Sequence, residues 1–272
     1  MRYIVIDDVR LYAQDVGTGP PVVLVAGFGM NHEVWDRQVH VLSERHRVIC
    51  VDQRGHGRSD APLTGYDIDR LAQDLLGVLD ALAVDDCTLL GWSFGGQVVF
   101  RAAATAPSRI SQLIVVGSNA VRASRSGEFP FGRPPEGLEP ALITAERERR
   151  ISARRETITS GLHKDVGPDV VDWLLRMSLQ MPSWAAVACY HSMLTTDLIA
   201  DIPKITMPVL QIVGASDPVH SAKGARWLND RLAHAELVEI PDCGHYPMLE
   251  APDQFDAAIV HFTGRALHRG GH

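Results

Sequence analysis

An unbroken apolar run at Val22–Ala26, followed by further short strands with helical periodicity between them, constrains this chain more than any other feature. A strand with no polar alternation has to be covered on both faces. Val48–Asp52, Cys87–Leu90 and Ile110–Val116 read as strands of the same kind. Between them lie helical stretches at Val34–Ser43, Tyr66–Ala83 and Phe94–Ala106. The second repeats Ile68, Leu71, Leu75, Val78, Leu79 and Leu82, one apolar stripe on a helix. Strand–helix alternation implies an α/β fold, a mostly parallel central sheet with helices on both faces. Arg2–Ile6 and Val9–Asp15 read as a strand pair before this core begins.

The alternation breaks after Ile110–Val116. From about Val121 to Lys204 no convincing strand occurs; Gly127 to Pro140 reads as a loop, and helices are expected at Pro140–Thr159, Pro168–Leu179 and Trp184–Leu198. This stretch reads as a helical insertion, residues 121–204, in a core made of residues 1–120 and 205–266. The pattern then resumes with strand Val209–Val213, helix Ala222–Leu232, strand Ala235–Ile240 and helix Pro252–Phe262. Arg265–His272, and above all residues 267–272, is expected to fray.

Composition excludes several classes. The chain has 272 residues, 46% of them hydrophobic, and a net charge of −7. That is globular composition without the basic stripe of a nucleic-acid binder. The four cysteines are far apart and form no CxxC pair, so reduced, buried thiols are expected and no metal. No run of about 18 apolar residues offers a membrane span. Met1–Asp8 carries acids where a signal peptide needs an apolar core, so the expected location is cytoplasmic and the expected partner a small molecule. Oligomeric state is not readable from the sequence.

Gly91-Trp92-Ser93-Phe94-Gly95-Gly96 stands between a strand and a helix. A GxSxG match arises by chance in about a tenth of chains of this length, so the context carries the weight. A sharp strand-to-helix turn drives the serine backbone to positive φ and lifts Oγ above the sheet edge. Side chains two residues either side would collide, hence Gly91 and Gly95. A serine hydroxyl needs a base. His245, in Asp242-Cys243-Gly244-His245, follows the strand Ala235–Ile240 and is the candidate. His220 and His191 are rivals without that position. The imidazole needs an acceptor to orient it. Asp217 leaves the strand Val209–Val213 at a carboxyl edge, where open α/β sheets place their sites; Asp242 reads as a turn residue instead. Two N–H donors are needed for the oxyanion. Phe94 at a helix N-terminus supplies one, and Phe28 in Gly27-Phe28-Gly29-Met30 the other. The same loop also reads as the entry to a helix capped by Asn31.

Gly27-Phe28-Gly29, the stretch Asp52 to Asp60, Gly91-Trp92-Ser93-Phe94-Gly95, Asp217 and His245, in the order Ser, acid, His, resemble the α/β-hydrolase fold family over nearly the whole length. The likeness is strongest to its serine esterases and cofactor-free haloperoxidase-type perhydrolases. It implies an α/β-hydrolase fold with a helical cap after the sixth strand, no cofactor and no metal, and a structural role for Asp52–Asp60, with Arg54 or His56 at most near the site. That subset often has His-Gly before the oxyanion residue; here Ala26 stands in the histidine's place, which removes a support of the loop. Ser at the nucleophile position sets the chain apart from dehalogenases and epoxide hydrolases.

The resulting expectation is hydrolysis of a small or medium, largely apolar carboxylic ester, thioester or lactone through an acyl-enzyme. Perhydrolysis and C–C bond hydrolysis by the same triad are alternatives, as is a low-turnover ligand receptor or signalling protein on this fold. Met30, Trp92, Trp184 and Met248 are candidate substrate contacts. On the cap, Trp173, Leu174, Leu175, Met177, Tyr190, Met193 and Leu194 are shared between packing and pocket. The alternating acids and arginines of Glu146–Glu156 read as a solvated helix with i,i+4 pairs, in preference to a site for an anionic substrate.

Overall fold

A computed structural model describes residues 2–267. One eight-stranded sheet runs through it, in the order β1 (Arg2–Ile6), β2 (Val9–Val16), β4 (Arg47–Val51), β3 (Pro21–Val25), β5 (Cys87–Trp92), β6 (Ile110–Val116), β7 (Val209–Gly214), β8 (Ala235–Ile240). β1 and β2 pair antiparallel, as do β2 and β4; every other neighbouring pair is parallel. The apolar runs are explained by the two cores. Val23 and Val25 of β3 enter one cluster, with α2 (Ile68–Ala81) and α3 (Phe94–Thr105). Val22 and Leu24 enter the other, with α1 (Asp36–Leu42) and α9 (Pro252–Leu267), where Trp35, Phe255 and Phe262 are fully covered. Successive side chains point to opposite faces, so a strand buried on both faces reads as a near-continuous apolar run.

All six positions of the α2 stripe are buried, and Asp67 caps the helix by accepting from Arg70 N at 2.9 Å. The expected helix at Val34–Ser43 is divided: Asn31 caps a 3₁₀ turn, His32–Trp35, that leads into α1. Thus Asn31 does begin a helical segment. The Asp52–Asp60 segment is a structural turn. Asp52 accepts from His32 N at 2.7 Å and Arg58 N at 2.9 Å, and Arg54 pairs with buried Asp74 of α2 at 2.5 and 2.7 Å.

Between β6 and β7 the chain forms α4 (Pro135–Gly161), α5 (Pro168–Ser178), α6 (Ser183–Thr195) and a 3₁₀ segment, Ile199–Lys204. α4 starts five residues before the expected Pro140. Pro135 suits a first turn, whose N–H groups have no helical acceptor, and Pro140 is accommodated inside the helix. The helix breaks at Arg149 (φ −145°, ψ 43°). On a straight helix Glu146 and Arg154 would be about 12 Å apart along the axis; the break brings them into a buried ion pair at 2.7 and 2.9 Å. Arg150 donates to the carbonyls of Leu179 and Met181. The expected i,i+4 pairing appears at Glu146 and Arg150, 3.4 Å apart, but the Glu146–Glu156 stretch is not simply a solvated helix, because its central pair is a staple inside the cap.

α9 continues through Leu267, so Arg265 is helical and pairs with Glu236. The rest of the expected tail lies outside the described residues. Cys50, Cys87, Cys189 and Cys243 are free and buried. Among the described residues no helix is long and apolar enough to cross a membrane.

Candidate active site

The parallel strands deliver their following loops to one edge of the sheet. Ser93 directly follows β5 and has φ 55°, ψ −118°, a strained conformation for a residue with a side chain. The two glycines have distinct reasons. A Cβ on Gly91 would stand 2.4 Å from Gly95 O, and one on Gly95 would stand 2.6 Å from the carbonyls of Val25 and Ala26. Ser93 N donates to Val116 O at 2.9 Å, tying the turn to β6.

His245 Nε2 lies 2.9 Å from Ser93 Oγ, and its Nδ1 lies 2.9 Å from Asp217 Oδ2. The acid's other oxygen accepts from Val219 N at 2.7 Å and His220 N at 2.9 Å. Burial of Asp217 by itself raises its pKa. The His245 imidazole, its hydrogen bond and the donors from His220 outweigh that effect and hold the carboxyl below its ordinary value. An ionised Asp217 fixes the proton of His245 on Nδ1, which leaves Nε2 free to accept from the serine hydroxyl. The sequence candidates Ser93, Asp217 and His245 thus meet at one point. Of the rivals, Asp242 is an exposed turn residue with φ 49°, and exposed His191 pairs with Glu139.

Phe94 N opens α3, and Phe28 N sits in the loop after β3. Among the described residues neither donates to a protein acceptor. That loop is pressed against Ser93: a Cβ on Gly27 would be 3.0 Å from Ser93 Cβ. With Ala26 where the subset has histidine, other groups hold it. Gln53 donates to Ala26 O at 3.0 Å, and Met30 N to Gly27 O at 3.1 Å. The Phe28 ring stacks on Tyr190 of α6 at 4.3 Å, with the Arg154 guanidinium 5.2 Å from its centre.

The histidine loop is anchored by contacts that sequence reasoning missed. Trp92 Nε1 donates to His245 O at 2.8 Å, and His245 N donates to Gly161 O of the cap at 2.8 Å. The buried Glu250 carboxylate accepts from Gly244 N and Tyr246 N at 3.0 Å on either side of His245, and from His163 N at 2.8 Å and Lys164 N at 2.9 Å in the cap. Only the spacing of five residues from His245 hinted at Glu250. Nothing in the sequence hinted at Asn119, which β6 delivers to the site.

A cavity of about 400 Å³ opens beside Ser93 and His245. Phe28, Tyr190, Met193 and Leu194 form part of its apolar wall; Arg133, Asn119, Thr157, Ser160 and His220 are among its polar and charged residues. Of the candidate contacts, Trp92 lines it. Met30 and Met248 do not, because both are packed in the core shared with Trp35. Trp184 is half exposed on the cap, its indole N–H on Pro62 O at 3.2 Å. Leu174, Leu175 and Met177 likewise pack into the core. Neither Arg54 nor His56 reaches the cavity lining; His56 is buried, and burial drives its pKa down to about 4. Among the described residues no group of three or more His, Cys, Asp or Glu side chains is arranged to hold a metal ion.

A strained serine at a strand–helix turn, an imidazole and a carboxylate in hydrogen-bonded line, and two amides free of acceptors among the described residues define the architecture of a nucleophile-elbow hydrolase. Residues 22–258 match the model of the alpha/beta hydrolase family, and the chain belongs to that family. It is 34% identical over 253 residues to the pimeloyl-[acyl-carrier protein] methyl ester esterase of Nitrosomonas europaea, covering 90% of this chain and 96% of the relative. It is 28% identical over 246 residues to 3-oxoadipate enol-lactonase 2 of Acinetobacter baylyi, covering 88% and 87%. Among solved structures, the esterase EaEST of Exiguobacterium antarcticum superposes with a TM-score of 0.93 at 28% identity, covering 96% of this chain and 98% of that one.

Proposed function

We propose that this chain is a serine hydrolase that cleaves a carboxylic ester or lactone through an acyl-enzyme. The relay Asp217–His245–Ser93, with both links at 2.9 Å beside the Phe28 and Phe94 amides, is the observation that carries the reading. Ser93 Oγ attacks the carbonyl carbon while its proton passes to His245 Nε2. The oxyanion sits between the two amides, where donors already in place need no reorganisation. Collapse of this intermediate breaks the C–O bond, and the departing alkoxide takes the proton from His245. Water then attacks the acyl-enzyme, giving its proton to the same nitrogen, and Ser93 takes that proton back as the acid leaves. Asp217 stays ionised throughout.

The names of the curated relatives, a methyl ester esterase and an enol-lactonase, support ester or lactone as the bond class. A cavity of about 400 Å³ suits a small to medium acyl group, and its polar wall argues against a purely apolar one. The test is Ser93→Ala with p-nitrophenyl butanoate. A fall in kcat of several orders of magnitude is expected; hydrolysis near the wild-type rate would remove Ser93 from the mechanism.

A further inference from the structure

The cavity contains a second imidazole that the relay does not use. His220 is buried beside the triad, its ring centre 5.6 Å from that of His245 and tilted 37° to it. Its backbone N–H is fixed on Asp217 Oδ1 at 2.9 Å, so the orienting acid also fixes the position of this residue. The ring is held separately. Asn119, buried at the carboxyl end of β6, points its Nδ2 at His220 Nδ1 across 3.3 Å. Room for that amide comes from Gly224 in the first turn of α7 (Ala222–Asn229), where a Cβ would stand 2.5 Å from Asn119 Oδ1.

With the Asn119 Nδ2 placed toward it, Nδ1 accepts and the ring proton sits on Nε2; Asn119 Oδ1 is left buried with no partner among the described residues. Nε2 makes no hydrogen bond to the protein among the described residues, and His220 lines the cavity. Burial lowers the His220 pKa to about 4, and neighbouring His245 pushes it the same way. Near pH 7 the group is therefore a neutral hydrogen-bond donor of fixed direction.

We propose that His220 Nε2–H, set by Asn119, reads an acceptor oxygen on the acyl part of the substrate and makes the site selective for oxygenated acyl groups over plain alkanoyl ones. The assignment rests on the serine-hydrolase reading and adds the substrate class to it. An alkanoyl chain strips water from Nε2–H and returns no acceptor. A ketone, ester or carboxylate oxygen at that point restores the bond, and sites built to bond an oxygen discriminate against analogues that lack it. Thr157, Ser160 and Ser221 line the same cavity, in keeping with an acyl group that is not purely hydrocarbon.

The experiment compares kcat/KM for p-nitrophenyl hexanoate with the 4-oxo- and 5-oxohexanoate esters, each corrected for its hydroxide-catalysed rate. The wild type should favour the better oxo ester by about tenfold. His220→Phe should bring that ratio close to one, Asn119→Leu should lower it, and His220→Gln, which keeps an N–H donor, should restore part of it. Thermal melts of the three variants accompany the kinetics. A wild-type ratio near one overturns the assignment. So does a ratio unchanged in His220→Phe, including the case where both esters lose rate equally, which marks a merely structural residue. Turnover of both esters surviving Ser93→Ala would instead overturn the hydrolase reading beneath it.

Discussion

Replacing Glu250 by glutamine exchanges one oxygen for an NH2 group and should cost about as much as truncating a large core side chain. The carboxylate accepts four backbone N–H groups, with Gly244, His163 and Lys164 on Oε2 and Tyr246 on Oε1. If the oxygen of the substituted side-chain amide takes the three-donor side, its NH2 faces Tyr246 N, and one buried donor loses its partner. That loss costs about 1–3 kcal/mol. The three remaining bonds lose their charge assistance, at roughly 0.5 kcal/mol or more each. The sum is about 3–5 kcal/mol, a large share of the stability typical of a domain. For a chain of this size it corresponds to a fall in Tm on the order of 10 °C. Activity should fall as well, because Gly244 and Tyr246 flank His245 and the other two donors belong to the cap. Calorimetry and kcat/KM with p-nitrophenyl butanoate measure both effects. A Glu250→Gln protein that melts within 2 °C of wild type (roughly 1 kcal/mol or less) and keeps its activity would show that the carboxylate does not hold the histidine loop.

Two further outcomes follow from buried charge. His56 and His220 both have pKa values near 4 in the fold because burial disfavours the cation, against about 6.5 unfolded. Between those values the unfolded chain binds more protons, so stability falls with falling pH, by about 2 kcal/mol per histidine at pH 5. Urea midpoints at pH 7.5 and 5 test this; an unchanged midpoint refutes it, and His56→Gln should remove about 2 kcal/mol of the drop. Arg154→Met leaves the buried Glu146 with only Arg150 at 3.4 Å and the Ser183 hydroxyl, and should cost about 2–4 kcal/mol, whereas the double variant Glu146→Leu/Arg154→Met should recover much of it. A single-variant cost below about 1 kcal/mol would contradict a buried staple, for which several kcal/mol are expected.

How far the site could be read in advance depended on how local each signal was. Ser93 was legible because its turn has strict steric demands that Gly91 and Gly95 record in the sequence. His245 and Asp217 were legible through their positions after strands, which a parallel sheet turns into a common edge. The α4 boundary was not, because Pro140 reads as a helix start although a helix begun at Pro135 accommodates it. The Glu146–Arg154 pair was hidden by the break at Arg149, since periodicity assumes a straight helix. Met30 and Met248 lie next to site residues in sequence but face the core, a matter of side-chain direction that proximity along the chain does not convey.

The sequence by itself determined the sheet of doubly buried strands, the helical insertion and the chain order of Ser93, Asp217 and His245. Each of these is written in spacing, through the period of a strand or helix and the steric needs of one turn. Tertiary structure alone decided which groups meet across distant elements: Asn119 with His220, Glu250 with both the histidine loop and the cap, and Arg154 with the Phe28 ring. Hydrogen-bond partners are chosen by distance and direction in space, and a pair such as Glu250 and His163 leaves no periodic trace along the chain.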